Sequence, residues 1–126
     1  MTFARISAGK RGEDLAVSYL KRHGFEIVEK NYKTKHGEID IIGNDKDCIS
    51  FVEVRSKNTD KFGLPEYTIN RKKQTQLTKM ALSYIKRYSL EDRVCRFDVI
   101  CVEDVNSHSP KIRHIRNAFE LDCRYR

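Results

Sequence analysis

The sequence predicts an α/β sandwich, a sheet of about five strands with helices packed against it, rather than a doubly wound sheet. Two amphipathic helical stretches are separated by three consecutive strand-like runs, and two more strand-like runs follow the second helix. No internal repeat, low-complexity tract or Pro/Gly-rich linker divides the 126 residues. The expected order is therefore α-β-β-β-α-β-β, in a single domain over 1–126 with a core of its own.

The first helix is read over residues 8–23, where Ala8, Gly12, Leu15, Ala16, Tyr19 and Leu20 recur at steps of three and four and Gly24 supplies a stop. Residues 25–33 read as a strand, Lys35, His36 and Gly37 as a turn, and residues 38–43 as a second strand. Gly43, Asn44, Asp45, Lys46 and Asp47 are turn chemistry, and residues 48–57 form a third strand, so the three make an antiparallel meander. A polar stretch over 58–68 reads as a loop. Asn70 is a good N-cap for a helix to about Tyr88, with Leu77, Met80, Ala81, Tyr84, Ile85 and Tyr88 as its apolar stripe. Residues 94–103 are the fourth strand. Residues 112–116 are the fifth, after a turn around Ser107, His108, Ser109 and Pro110.

Composition narrows the function classes. No run approaches the ~18 apolar residues of a membrane span, and no apolar stretch of signal-peptide length follows Met1, so a cytoplasmic protein is expected. The cysteines Cys48, Cys95, Cys101 and Cys123 lack zinc-site spacing, and three of them fall in or beside apolar strand-like runs, where a free cysteine reads as a small buried hydrophobe suited to a reducing compartment. The four histidines are equally scattered, which argues against a His/Cys metal centre. A formal charge of +7 and a pI near 9.3 favour an anionic partner without choosing among nucleic acid, anionic membrane and acidic protein.

The informative charges sit where apolar residues belong. Asp40 lies inside Ile39, Ile41 and Ile42, and Glu53 inside Phe51, Val52 and Val54. Ionised carboxylates are rarely buried without a partner. Strand alternation puts Glu53, Arg55 and Lys57 on one face. If the meander brings Asp40 to that face, two acids and two bases converge at one sheet surface, a site for a hard divalent ion such as Mg²⁺. A structural Asp/Glu–Arg/Lys network fits the same pattern. Glu13 falls beside Ala16 and Leu20 on a helical wheel and can add a third carboxylate, or simply be a first-turn acid favoured by the helix dipole. Arg71, Lys72 and Lys73 open the second helix against its macrodipole, yet a helix N-terminus with added lysines is a ready phosphate site; Lys73 and Gln74 project toward the Leu77 stripe. Asp98 reads as structural, pairing Arg96 or Arg93.

Several of these pieces occur together in a familiar order. They are Gly9, Gly12, Glu13 and Ala16; Asn31 and Tyr32; Gly37, Glu38, Ile39 and Asp40; and Phe51 through Arg55. Lys73 and Gln74, Arg96 through Ile100, and His114 through Phe119 continue it. This combination resembles the YraN family along essentially the whole chain. The resemblance implies a restriction-endonuclease-like three-layer fold, a central mixed sheet of about five strands flanked by helices, similar to the PD-(D/E)XK nucleases and especially archaeal Holliday-junction resolvases. It implies Asp40 as the first metal-binding aspartate, Glu53 as the acid of the (D/E)-x-K element and Glu13 as the acid on the first helix. Arg55 stands where that superfamily has lysine, a departure, since arginine is a poor base but can hold charge over a phosphate.

The function expected is that of a Mg²⁺- or Mn²⁺-dependent endonuclease-like protein on nucleic acid, DNA above all and branched or structured DNA in particular. Glu13, Asp40 and Glu53 are its metal residues; Asp40, Glu53 and Arg55 its catalytic ones; Lys57, Arg71, Lys72, Lys73 and Gln74 its nucleic-acid contacts. By analogy with resolvases the protein is expected to form a homodimer and to have no membrane partner. A non-catalytic nucleic-acid-binding module on a nuclease fold is the alternative, and an interaction protein whose acids make only structural ion pairs is a third.

Overall fold

Apolar side chains on both sides of the strands leave a sheet with two faces to bury, and one helix covers each. The order is α1 (Phe3–Arg22), β1 (Glu26–Thr34), β2 (Gly37–Asp45), β3 (Cys48–Lys57), α2 (Arg71–Arg87), β4 (Val94–Glu103) and β5 (Lys111–Phe119). The computed structural model describes residues 3–57 and 69–120, with side chains over 9–56 and 69–120. The loop expected over 58–68, Cys123 and the side chain of Lys57 lie outside the described residues.

The strands lie in the sheet in chain order. β1, β2 and β3 form the expected antiparallel meander. β3 and β4 run parallel and β4 and β5 antiparallel, so the sheet is mixed. A parallel join requires a crossover, and α2 supplies it. On one face α2 packs Leu77, Met80, Ala81, Tyr84 and Ile85 onto Ile39, Phe51, Phe97 and Val99. On the other, Ala16 and Leu20 of α1 pack onto Ile41, Val52, Ile100 and Val102. The three layers agree with the restriction-endonuclease-like arrangement. No helix among the described residues is long and apolar enough to cross a membrane.

Local chemistry sets the ends. Gly24 follows α1 at φ +87°, a left-handed conformation that glycine adopts without strain. Asn70 caps α2 by accepting the Lys73 backbone N–H at 2.8 Å. Of the expected α2 stripe, Tyr88 alone is exposed, at 46%. β5 extends past the predicted residue 116 because the pairing register with β4 shifts between Phe97 and Val99, where Asn117 adopts φ 52°. That bulge carries the strand on to Phe119, whose ring stacks on Phe97 with centroids 4.4 Å apart. A period-two pattern cannot follow a strand through such a shift.

Asp98 is structural, as expected, and paired with Arg96. Its fully buried carboxylate accepts Arg96 Nε at 2.9 Å, His114 Nε2 at 2.9 Å and the Asn117 backbone N–H at 2.9 Å. Arg96 continues to Asp45 at 2.9 Å, where Arg116 joins at 2.8 Å. Both guanidinium groups lie over the Phe25 ring. The network fastens β5 and the β2–β3 turn to β4. Arg93 instead reaches the Asp47 carbonyl.

Candidate metal centre

β2 and β3 stay paired from Asp45–Cys48 to Ile41–Val52, and Asp40 lies just past the last pair. Its Oδ2 accepts the Val54 backbone N–H at 2.8 Å, so a side chain closes the ladder where backbone pairing stops. Strand alternation breaks at the same point. Ile39 and Ile42 pack toward α2, whereas Ile41 packs toward α1. Opposite Asp40 on β1, between the Lys30–Ile41 and Tyr32–Ile39 pairs, Asn31 adopts φ 52°.

Around Asp40 the acids gather from three elements. Carboxylate oxygens of Glu13 on α1 and of Glu38 and Asp40 on β2 lie within 4.8 Å of one another. Glu53 on β3 lies close enough to Asp40 for its carboxylate to act on the Asp40 carboxyl. Asn31 Nδ2 donates to Glu13 Oε1 at 3.0 Å and to Glu38 Oε1 at 2.9 Å. Glu13 reaches the group because α1 comes close to β3 at Gly12, where an added Cβ would stand 1.9 Å from Ser56 Oγ and 3.1 Å from Ser56 Cβ. Gly12→Ala must therefore push the helix off the strand, with an expected loss of about 1–3 kcal/mol. Urea unfolding measures it, and an unchanged midpoint would mean that Ser56 turns aside freely.

The crowding is visible in the electrostatics. Burial, then the neighbouring charge of Glu53, raises the Asp40 pKa from 3.8 to about 7, against the opposing Val54 N–H. Lys73, near the start of α2, is the cation that reaches the cluster among the described residues, with Nζ 3.5 Å from Glu53 Oε2. Arg55 is half-buried two residues beyond Glu53 on β3. Arg71 and Lys72 are exposed on the first turn of α2. The Gln74 side-chain amide donates to the Ile69 carbonyl at 2.7 Å. The donor set is all carboxylate oxygen, with one lysine among four acids, and it fits a hard divalent ion such as Mg²⁺ or Mn²⁺ better than a softer metal. Glu13, Glu38, Asp40 and Glu53 are the residues that would hold it.

A family profile described as "Uncharacterised protein family UPF0102" matches residues 12–102. The chain belongs to the UPF0102 family. The resemblance to the YraN family is thus borne out. A UPF0102 protein of Thermodesulfovibrio yellowstonii is 49% identical over 92% of this chain and 98% of its own length. UPF0102 proteins of Geobacter sulfurreducens and Persephonella marina are 41% and 43% identical, each over 90% of this chain and over 88% and 94% of their own lengths. The matched stretch of this UPF0102 chain takes in all four acids, Asn31 and Lys73, and stops before β5.

The structure brings Glu13, Asp40 and Glu53 together and adds Glu38, which the sequence reading did not single out. Glu38 stands two residues before Asp40, so strand period alone offered it as a neighbour on the same face. The face change at Asp40 makes that shortcut unreliable here, and only the positions of α1 and Asn31 show that Glu38 turns to the same point.

Proposed function

We propose that this protein is a divalent-metal-dependent endonuclease-like protein that binds nucleic acid, DNA in the first place and branched or structured DNA in particular. The observation that carries the proposal is the convergence of Glu13, Glu38 and Asp40, with Glu53 on Asp40, beside the N-terminal turn of α2. A bound Mg²⁺ or Mn²⁺ would supply charge neutralisation and activation of a water for attack on a phosphodiester.

The chain's own residues have separable tasks in this reading. Asp40, fixed by the Val54 N–H, presents its carboxylate at the splayed end of β2 and β3. Lys73 is already engaged with Glu53, so an approaching phosphate would find a cation within reach of the acids. Arg55 adds a permanent positive charge on the strand that carries Glu53. Arg71, Lys72 and the free N–H groups at the start of α2 suit backbone phosphates, and Lys57 extends the basic series in sequence. A symmetric cut of a junction needs two such sites, hence a homodimer. Arg55 in place of lysine favours the second reading, a nucleic-acid-binding module without cleavage, because arginine does not give up its proton.

The test is a cleavage screen on duplex, flap, junction and single-stranded DNA and RNA with Mg²⁺ or Mn²⁺, beside binding titrations at several salt concentrations. Cleavage that requires the ion is the expected result, with affinity falling by a log–log slope of about −0.9 per phosphate neutralised on duplex DNA. Salt-dependent binding without cleavage selects the second reading. Absence of binding even at low salt sinks both.

A further inference from the structure

Two acids from different elements, Glu13 of α1 and Glu38 of β2, are held by one amide. Asn31 Nδ2 carries two hydrogens and gives them to Glu13 Oε1 at 3.0 Å and to Glu38 Oε1 at 2.9 Å. Like charges drawn this close repel, and a donor shared between them offsets part of that cost. The amide engages one oxygen of each carboxylate, which leaves the second oxygen of each for another partner.

The backbone at Asn31 is unusual in the same direction. Its φ of 52° is a left-handed conformation inside a strand, uncommon for any residue but glycine and best tolerated by asparagine. Glu29 lies beside Tyr84 of α2, and Tyr32 packs into the α2-side core. In a regular strand residue 31 would share the face of Glu29 and point to α2. The left-handed turn breaks that alternation and sends the amide toward Glu13 on α1. Glycine would adopt this conformation but offers no donor, and aspartate would add a further negative charge. Asparagine meets both requirements.

We infer that Asn31 is the positioning residue of the metal centre, clamping Glu13 and Glu38 where both can reach an ion held at Asp40. This rests on the metal-centre reading above and gives a role to a residue that contributes no carboxylate itself. The experiment uses the full chain and Mn²⁺ as the probe, with affinity from calorimetry and melting temperature from ion-free samples. Wild type, Asn31→Gly, Asn31→Ala and Asp40→Asn are compared. Both Asn31 variants should bind Mn²⁺ about 10–100-fold more weakly, the usual cost of losing a residue that orients a ligand. Only Asn31→Ala should pay, in ion-free melting temperature, for the left-handed backbone. Wild-type affinity in Asn31→Gly, together with lost binding in Asp40→Asn, overturns the clamp and leaves the metal centre standing. A wild type that does not bind Mn²⁺ at millimolar concentration overturns the metal centre and the clamp with it.

Discussion

On the proposed metal-centre reading, Asp40→Asn is expected to abolish cleavage and the rise in melting temperature that Mn²⁺ should give the wild type, while making the ion-free protein more stable at pH 8. An ion at a hundred times its dissociation constant stabilises the fold that holds it by about 2.7 kcal/mol. That increment should vanish in the variant. The ion-free gain follows from Asp40's raised pKa, which burial and then Glu53 push from 3.8 to about 7. An acid that ionises later in the folded chain than in the unfolded one lowers stability as pH rises between those two values. The cost is absent below about pH 4 and complete above about pH 7. At about 1.4 kcal/mol per pH unit it reaches roughly 4 kcal/mol as an upper bound. Asparagine keeps an oxygen for the Val54 N–H and carries no charge, so its advantage should appear in urea unfolding at pH 8 in EDTA and disappear toward pH 4. A structural ion-pair network gives the reverse pattern. No Mn²⁺ response in the wild type, with a badly destabilised Asp40→Asn, would end the catalytic reading.

The other large effect is expected far from the acids, at Asp98. Desolvation by burial works to raise its pKa, but hydrogen bonds from His114, Arg96 and the Asn117 N–H outweigh it and hold the group at about 2. A depressed carboxylate contributes stability at every pH above its unfolded value near 4 and loses it as pH falls from about 4 to about 2. Asp98→Asn leaves the half-buried Arg96 guanidinium facing a neutral amide that can accept a hydrogen bond but cannot balance its charge, at an expected cost of about 3–5 kcal/mol. The loss should be nearly constant from pH 5 to 8 and shrink below pH 4 as the wild type loses the same charge. Denaturant unfolding across that range measures it. A loss below 1 kcal/mol at pH 7 would show that Arg96 is held by Asp45 alone and that Asp98 adds little. The same variant should leave Mn²⁺ affinity unchanged, since Asp98 and Asp40 belong to separate groups.

Much of this architecture follows from periodicity. The apolar steps at Leu15, Ala16, Tyr19 and Leu20 and at Leu77, Met80, Ala81, Tyr84 and Ile85 specify two helices with one buried face each, because a 3.6-residue repeat leaves a single stripe to cover. The runs around Ile41, Val52 and Ile100, with turn residues between, specify the strands. The acids Asp40 and Glu53 were legible too, since a charge inside an apolar strand run has no cheap explanation. Order along the chain was enough to name the family. Tertiary structure decided what local pattern could not carry. Glu38 and Asn31 enter the site because the backbone turns left-handed at Asn31 and the faces of β2 exchange at Asp40, and neither event has a period. The close approach of Gly12 to Ser56, which carries Glu13 in, depends on a contact 44 residues away in sequence. Lys73, rather than Arg55, meets Glu53 because a parallel crossover lays the start of α2 over the end of β3. The residue types were fixed by sequence; the distances between their charges, on which any metal chemistry depends, were set by how the strands and helices pack.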